Sequence, residues 1–311
     1  FFSSRRRHTR FRNVTGVQTC ALPILGLGKL SPFLMIKVQR TKTLSTKNNN
    51  NSANCIAPNV IYGCFGGCVS TYCYMSRYNE KRVYVNSNVD DIFNSVVDWE
   101  KTYNKVPDQQ DPVYTMVDIA CNSDLVLMQK HMPEPLIDYL KRYDDHPRLN
   151  TTMATKYPSL LTLDVSMFNK KPRVRVSVMP QVFSNILEPK MQSITSRIED
   201  INRLKDLGWE VHINYSPVIF YPGWEELYDD LFAEIKIIAG ENKCEVIALT
   251  NHVLQMQRSN FLAQNLMKYS SEIKNNEGIM RYPLSYKTKW LDTFKYLYTQ
   301  YFDLDTIRYI F

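Results

Sequence analysis

From residue 58 onward, short apolar runs alternate with amphipathic stretches. The runs are rich in β-branched residues and end in polar or turn residues, a pattern that is typical of strands. They predict strands at Asn59–Tyr62, Tyr114–Ala120, Thr151–Thr155, Arg173–Val178, Glu210–Pro217 and Cys244–Leu249.

The stretches between these runs carry apolar residues at helical spacing. One of them puts Ile92, Val96 and Trp99 largely on one side, and Gly208 is a helix-stop signal after another. The predicted helices are Asp90–Tyr103, Pro135–Tyr143, Ile194–Leu207 and Trp224–Ile238. Roughly six β–α units in register predict an α/β fold, in which a parallel sheet curls into a partial (β/α)6 barrel of the TIM type.

The two ends of the chain have a different pattern. Phe33–Arg40 predicts a strand, whereas Asn48–Asn51 is a polar run typical of a flexible loop. Lys287–Tyr301 predicts a helix, and residues 305–311 predict an edge strand. We therefore divide the chain into a truncated N-terminal strand with its asparagine-rich loop (26–57), the barrel (58–270) and a short C-terminal helix–strand extension (271–311).

The first 25 residues, FFSSRRRHTRFRNVTGVQTCALPIL, carry five arginines and no acidic residue. A basic segment without an amphipathic period is compatible with a nucleic-acid-binding arm or an organelle transit peptide. This one closely resembles translated sequencing-adapter read-through. We expect it to be a disordered, artefactual leader that does not belong to the fold.

Composition adds limits on the class of protein. The 311 residues are 44% hydrophobic, which is enough for one large globular domain with a real core. No run of eighteen apolar residues occurs, so we expect no membrane partner. The net charge is +7, from 38 basic and 31 acidic residues, and without the five leader arginines 33 basic residues remain. An overall basic field that would itself indicate nucleic acid is therefore absent, and any basic groove must be local.

Reactive residues follow several of the predicted strands. Cys64, Cys121, Lys156, Ser177 and His252 each close or follow one of these strands. Because the active sites of β/α barrels lie at the carboxyl ends of the strands, we expect these residues to share one end of the barrel.

Three of the seven cysteines, Cys64, Cys68 and Cys73, lie within ten residues of one another. Such clustering favours metal ligation in a reducing, cytoplasmic location over a disulfide framework. Three thiolates on the glycine-containing loop IYGCFGGCVSTYCYMSRYN can hold three irons of a 4Fe–4S cluster and leave the fourth iron open for S-adenosylmethionine. The alternative is structural zinc with Cys55 as a fourth ligand, although no second Cys–x–x–Cys pair exists.

The chain from about Phe33 to Phe311 resembles the spore photoproduct lyase family of radical S-adenosylmethionine proteins. The segments that carry the resemblance are IYGCFGGC…YCYM, VDIACNSDLV, MATKYPSLLTL, and a long middle region that contains LEP and PGWEE. The resemblance implies the radical S-adenosylmethionine type of partial barrel. It also implies repair of a linked thymine pair in DNA, flipped out of the duplex, with electrons from a flavodoxin- or ferredoxin-type reductant.

The resemblance also implies a role for individual residues. The cluster ligands would be Cys64, Cys68 and Cys73. The residues that contact S-adenosylmethionine would be Ser123, Lys156 and Ser177. Cys121 would donate a hydrogen atom to the product radical, with Tyr72 and Tyr74 as relays. Taken singly, Cys121, Lys156 and Ser177 are compatible with a buried small residue, a solvated charge and a core serine. His252 is compatible with a pocket or a structural role, and we expect His212 to be structural.

The chain departs from the family pattern in three places. Its cysteines are separated by three and then four residues, whereas the family has three and then two. The family's N-terminal region is mostly missing. Asn276 and Glu277 stand where the family has an arginine–tyrosine pair at the lesion, and Arg281 and Tyr282 are candidates to compensate. Two alternatives therefore stay open: the same chemistry on a different substrate, and a non-catalytic, zinc-stabilised nucleic-acid-binding protein.

Overall fold

A computed structural model describes residues 34–40, 44–49, 51–69, 82–104, 110–273 and 278–310. The predicted leader lies outside these ranges, so its assignment stays a prediction.

Within the described residues, an eight-stranded sheet forms the centre of the fold and curls into a half-barrel. Its neighbouring strands are parallel, except for an antiparallel strand at one edge. In sheet order the strands are β14 (Ile307–Ile310), β10 (Cys244–Ala248), β9 (Glu210–Val218), β8 (Arg173–Val178), β7 (Leu149–Thr155), β6 (Thr115–Asp118), β3 (Cys55–Ile56) and β2 (Lys47–Asn48). The predicted α/β partial barrel is confirmed.

Two sheets of three strands each complete the strand content of the described ranges. One consists of β1 (Leu34–Lys37), β5 (Val83–Asn86) and β4 (Ile61–Tyr62). The other consists of β11 (Thr250–His252), β13 (Ile279–Arg281) and β12 (Glu272–Ile273).

The α-helices in the same ranges follow the strands closely along the chain. They are α1 (Val89–Thr102), α2 (Leu125–Met128), α3 (Leu136–Asp144), α4 (Gln181–Leu187), α5 (Ile194–Asp206), α6 (Trp224–Ile238), α7 (Val253–Arg258), α8 (Phe261–Met267) and α9 (Leu284–Tyr298). Among them, none combines the length and the apolar composition that a membrane crossing requires.

Helix α5 illustrates how local sequence sets these boundaries. The Ser193 hydroxyl accepts a hydrogen bond from the Ser196 amide at 3.3 Å and so caps the first turn. Ile198 and Ile201 are fully buried against the sheet side of the helix. Gly208 ends the helix with φ +89°, a conformation that favours glycine, as the sequence predicted.

Strand β8, RVRVSV, shows why the sheet carries buried charges. Its valines are buried in the apolar core, and the alternate residues Arg173, Arg175 and Ser177 lie on the other face. Arg175 Nη2 is 2.8 Å from Asp118 Oδ2 on β6, and its Nη1 is 3.2 Å from Glu245 Oε2 on β10. Alternate strands of the half-barrel thus meet at an internal layer of charged side chains.

The prediction that Asn59–Tyr62 forms the first barrel strand is wrong. Strand β3, which ends three residues before Asn59, pairs parallel with β6 in the barrel sheet, whereas β4 pairs antiparallel with β5 in another sheet. The run predicted as a flexible loop also differs, because Lys47 and Asn48 form an edge strand paired with β3. The barrel sheet therefore includes strands that precede residue 58, and the division of the chain into domains stays a prediction.

Candidate active site

The carboxyl ends of β6, β7 and β8 carry four of the predicted site residues. Cys121 and Ser123 follow β6, Lys156 follows β7, and Ser177 lies near the end of β8. The sheet register brings these ends together, since Thr155 lies opposite Val176. The structure thus gathers the predicted residues at one end of the half-barrel, as expected for this architecture.

The cysteine loop begins directly after β4 and wraps closely around the Cys64 sulfur. The Gly66 amide donates a hydrogen bond to Cys64 Sγ at 3.2 Å. A Cβ at Gly66 would lie 3.3 Å from that sulfur and 3.0 Å from Met191 Cε, so a side chain there would crowd the loop. Gly63 and Gly67 have φ values of +88° and +83°, which only glycine adopts readily. The glycines therefore let the backbone approach a sulfur ligand.

Cys68, the second thiol of this loop, is half-buried. Burial raises the pKa of its thiol to about 12, and the nearby charges of Lys156 and Glu188 act in opposite directions on it. The thiol is therefore protonated when no metal is bound, and a metal ion would displace the proton. The neighbouring Cys64 adds to the raised pKa of Cys68, because two thiolates close together repel each other.

Hydrogen bonds fix both described ends of the cysteine loop. At the start, the Gly63 amide donates to the Asn122 carbonyl, and the Ser123 hydroxyl donates to the Gly63 carbonyl, each at 2.9 Å. At the other end, the Val69 amide donates to the Leu187 carbonyl at 2.8 Å. Ser123 is buried and positions the loop, and its contact with S-adenosylmethionine stays a prediction.

Lys156 lies between the cysteine loop and a buried ion pair. Its side chain forms an ion pair with Glu188 from the LEP segment, and Arg197 Nη1 lies 2.8 Å from the other Glu188 oxygen. The Glu188 and Arg197 side chains are fully buried, and that of Lys156 is 13% exposed. Burial raises the pKa of Glu188, but Lys156 and Arg197 outweigh burial and hold it below its usual value. The Lys156 ammonium is therefore held by Glu188 and largely withdrawn from water, unlike a solvated surface charge.

Ser177 belongs to a buried polar group at the ends of β8 and β9. Its hydroxyl accepts a hydrogen bond from Asn214 Nδ2 at 3.2 Å, and the two residues are partners in the sheet register. Within the described part of the chain, the buried Asn214 Oδ1 has no hydrogen-bond partner. An unsatisfied acceptor beside Ser177 fits a polar ligand at this end of the barrel.

Asp124 was missed by the sequence interpretation although it organises this end of the barrel. Its carboxylate accepts hydrogen bonds from the Lys156 amide at 2.8 Å and from the Thr155 hydroxyl at 3.0 Å. It also caps α2 by accepting from the Leu127 amide at 3.1 Å. An aspartate directly before the apolar run LVLM is a helix-capping signal that could have identified it.

Cys121 differs from the other cysteines that follow or form strands. It is half-buried and outside the apolar core cluster, whereas Cys55 and Cys244 are buried within that cluster. Burial and the neighbouring Asp118 raise the pKa of Cys121 to about 12, although Arg175 lowers it. The thiol therefore keeps its proton at neutral pH, which is the form that carries a transferable hydrogen atom.

The zinc alternative takes its fourth ligand from Cys55. Cys55 lies within β3, opposite Val117, and its thiol is fully buried. Across the described ranges, no three His, Cys, Asp or Glu side chains are arranged to hold a metal ion. The third predicted ligand, Cys73, and the predicted relays Tyr72 and Tyr74 lie outside those ranges.

Both histidines considered in the sequence have local structural contacts. His252 Nδ1 accepts a hydrogen bond from the Leu254 amide at 3.0 Å and caps α7. His212 Nε2 lies 2.8 Å from Glu210 Oε1 inside the sheet, in line with the structural role expected for it.

Tyr282 and Arg281, the candidates to compensate at the lesion position, each have a partner within the protein. Tyr282 is fully buried, and its hydroxyl accepts a hydrogen bond from the Phe220 amide at 3.1 Å. Arg281 forms an ion pair with Glu272 on the neighbouring strand at 3.1 Å. The expectation that this pair compensates for Asn276 and Glu277 is therefore not supported for Tyr282, and the latter two residues lie outside the described ranges.

The sequence of this chain is similar to that of one enzyme family. The sequence model of the spore photoproduct lyase family matches residues 8–302. The spore photoproduct lyase of Geobacillus sp. (strain Y412MC61) is 29% identical over 206 residues, which cover 65% of this chain and 56% of that protein. The enzyme of the same name from Clostridium acetobutylicum is 26% identical over 199 residues, or 62% of this chain and 55% of that protein. The chain thus spans a little over half the length of the curated relatives it matches.

Solved structures of spore photoproduct lyase share the fold. One, complexed with dinucleoside spore photoproduct, has a TM-score of 0.71 at 20% identity and covers 89% of this chain and 82% of that chain. Another, a double mutant with bound AdoMet and dinucleoside spore photoproduct, has a TM-score of 0.73 at the same identity and coverage. The family model spans most of the sequence, and the half-barrel is the fold of these relatives. This chain therefore belongs to the spore photoproduct lyase family.

Proposed function

We propose that this chain is a radical S-adenosylmethionine enzyme that repairs thymine photoproducts in DNA. The observation that carries the proposal is the arrangement of Cys64 and Cys68 on a glycine-lined loop beside Lys156, at the carboxyl ends of the barrel strands. Family membership supports it, as does the relative whose structure holds AdoMet and dinucleoside spore photoproduct.

The residues at this end of the barrel fit the cofactors that the proposal requires. Cys64 and Cys68, together with Cys73, would hold a 4Fe–4S cluster, and Gly66 leaves the room that the loop needs around the first sulfur. Ser123, Lys156 and Ser177 would bind S-adenosylmethionine. When bound, the cluster and S-adenosylmethionine supply a deoxyadenosyl radical, which takes a hydrogen atom from the substrate.

Cys121 would complete the repair as the hydrogen-atom donor. Its S–H bond would break as a new C–H bond forms on the thymine radical, which leaves a thiyl radical on the protein. The raised pKa of Cys121 supports this role, because a thiolate has no hydrogen atom to give. Tyr72 and Tyr74 would relay the radical onward.

One observation favours a second candidate, the same chemistry on a different substrate. Tyr282 is buried and Arg281 is paired with Glu272, so neither is arranged like an arginine–tyrosine pair that contacts a DNA lesion. Another nucleobase lesion or a small molecule would then occupy the mouth of the barrel.

The remaining partners follow from the same chemistry. The electron would come from a flavodoxin- or ferredoxin-type reductant. A cytoplasmic location fits the free thiols of the described cysteines, because such thiols persist in a reducing compartment.

The test is reconstitution of the full chain with iron and sulfide without oxygen, followed by reduction and addition of S-adenosylmethionine and DNA that contains spore photoproduct. We expect wild type to form deoxyadenosine and to return thymine. Cys64→Ala should lose the cluster and both products, whereas Cys121→Ala should still form deoxyadenosine but lose most of the thymine. Cys244→Ala is the matched control, because Cys244 lies in the core beside Tyr298 and should leave both products unchanged.

Two other outcomes would each favour a different function for this chain. Deoxyadenosine without thymine from wild type would favour the different substrate. A colourless chain with stoichiometric zinc would contradict the proposal and favour the binding protein.

A further inference from the structure

Three charged side chains form a buried cluster beneath the cysteine loop, and we refer to Lys156, Glu188 and Arg197 as the charge cluster. The Glu188 carboxylate faces two cations, and the Asp124 carboxylate also acts on the Lys156 charge. Among the described residues, the buried Arg197 Nη2 has no hydrogen-bond partner. All three side chains are almost or wholly withdrawn from water. A buried guanidinium nitrogen without a partner is costly unless an acceptor joins it, so this cluster is a place for an anionic ligand group.

Two of the three guanidinium nitrogens of Arg197 are bonded to the protein. Its Nε donates a hydrogen bond to the Gln192 carbonyl at 2.8 Å, and its Nη1 donates to the Ser177 carbonyl at 2.9 Å. The same guanidinium lies 2.8 Å from Glu188 Oε2. Arg197 thus ties helix α5 to the end of β8 and fixes the Glu188 carboxylate between them.

Lys156 is the second cation of the cluster, and both its backbone amide and its ammonium have partners. Asp124 accepts from its backbone amide at 2.8 Å, and Glu188 pairs with its ammonium. The Val69 amide donates to the carbonyl of Leu187, the residue before Glu188, so Glu188 and its lysine partner lie beside the cysteine loop. A lysine has a flexible four-carbon stem, so without Glu188 its ammonium would sample several positions.

We propose that Glu188 is a positioning residue that holds the Lys156 ammonium in place to receive the carboxylate of S-adenosylmethionine. The inference rests on the proposed function. The carboxylate is the one anionic group of that molecule, so it is the group that Lys156 and the unpartnered Arg197 Nη2 would bind.

The affinity for S-adenosylmethionine distinguishes two effects of Glu188: positioning of the Lys156 ammonium, and electrostatic repulsion of an anionic ligand. On charge alone, Glu188→Gln removes a negative group beside the site and should tighten an anionic ligand. If Glu188 positions Lys156, the same change weakens binding, by about tenfold, which is typical for the loss of a hydrogen bond to a charged group. The opposite signs make the measurement decisive.

The experiment measures the dissociation constant of S-adenosylmethionine by equilibrium dialysis on the reconstituted full chain, with iron content determined for each variant. We expect Glu188→Gln and Lys156→Met to weaken binding, and the double variant to bind no more weakly than Lys156→Met alone, because Glu188 acts through Lys156. The Michaelis constant for S-adenosylmethionine should rise in Glu188→Gln, while the rate at saturation changes less. The cluster's EPR signal should shift on ligand addition in wild type and need more ligand to shift in Glu188→Gln.

Glu210→Gln is the matched control, because Glu210 also pairs with a buried arginine, Arg173, but lies at the opposite end of the strands. Its affinity should equal that of wild type. Should Glu188→Gln not fold, Glu188→Asp decides the question, since it keeps the charge and shortens the side chain. Weaker binding supports positioning, and unchanged binding overturns it.

The outcomes keep the two proposals apart. A wild-type chain that assembles no cluster, or that binds no S-adenosylmethionine, contradicts the proposed function. A wild-type chain that binds the ligand, with Glu188→Gln binding equally well or more tightly, overturns the inference alone.

Discussion

Arg175 lies inside the half-barrel with two carboxylates, Asp118 and Glu245, as its partners. Burial lowers the pKa of the guanidinium, but the two carboxylates outweigh it and keep the group charged. The Arg175 charge is therefore buried, and the carboxylates of Asp118 and Glu245 compensate it. Arginine alternates with valine along β8, so the Arg175 side chain points to the inner face of the sheet. Its carboxylate partners on β6 and β10 offset the cost of burying it there.

Arg175→Met should destabilise the chain by about 3–5 kcal/mol, because it leaves the buried Asp118 and Glu245 without their cation. Urea unfolding followed by circular dichroism measures the change. Arg142→Met is the control, since Arg142 is partly exposed and pairs with Glu134 and Asp90 at the surface. It should cost less than about 1 kcal/mol, and an equal loss in both variants would contradict the argument.

At the scale of elements, the close approach of α5 to the segment before β8 depends on one glycine. Gly208 has φ +89°, and a Cβ there would lie 2.6 Å from the Ser166 amide nitrogen. The Val165 amide donates a hydrogen bond to the Leu207 carbonyl at 2.8 Å, so the two backbones are held together. Neither backbone can withdraw without loss of that contact.

Gly208→Ala should therefore destabilise the chain by about 3 kcal/mol or more, from backbone strain together with the steric overlap. Gly240→Ala is a matched control, because its φ is +65° and nothing lies within 4 Å of a Cβ there. It should cost only about 1–2 kcal/mol. Thermal unfolding of the two variants compares them, and equal losses would show that the contact with Ser166 is unimportant.

The elements that sequence could predict are those with a strong repeating pattern. Helix α6 was predicted at its observed bounds, because its apolar residues recur at helical spacing over four turns. Strand β3 was missed because two residues show no period. The β11–β13–β12 sheet was missed for the same reason, since its strands are two or three residues long.

The candidate site could be predicted only where a residue's type indicates its chemistry. Cysteines in a tight cluster indicate metal ligation without a structure. Glu188 and Asn214 were missed, because their roles depend on partners distant along the chain, as with Arg197 and the carbonyl of Ser177. A carboxylate or an amide in sequence does not reveal which strand end it will face.

Across the whole molecule, acid stability depends on the floor of the half-barrel, at the end away from the mouth. Burial lowers the pKa of His212 to about 3, against the effect of Glu210. Burial raises the pKa of Glu210, but the hydrogen bond from His212 and the charge of Arg173 lower it to about 2. In the unfolded chain these groups titrate at their ordinary values of 6.5 and 4.5.

Between pH 6.5 and 3, His212 is therefore protonated in the unfolded chain and neutral in the folded chain. The free energy of unfolding should fall on acidification over this range, by up to about 1.4 kcal/mol per pH unit for this proton. Glu210 adds to the loss below pH 4.5, because its stabilisation is present above that pH and is lost as its carboxylate protonates. Urea unfolding at pH 6.5, 5.5 and 4.5 should give a steeper loss in wild type than in His212→Gln, and equal slopes would contradict this assignment.

The half-barrel leaves two sheet edges that, within the described residues, pair on one side only. An unpaired edge can recruit a strand from another chain and so begin aggregation. At one edge, β2 is two residues long, exposed, and carries Lys47. At the other, β14 is half-buried along most of its length. A short charged edge and a partly shielded one let the barrel wall stay open without acting as a template for fibrils.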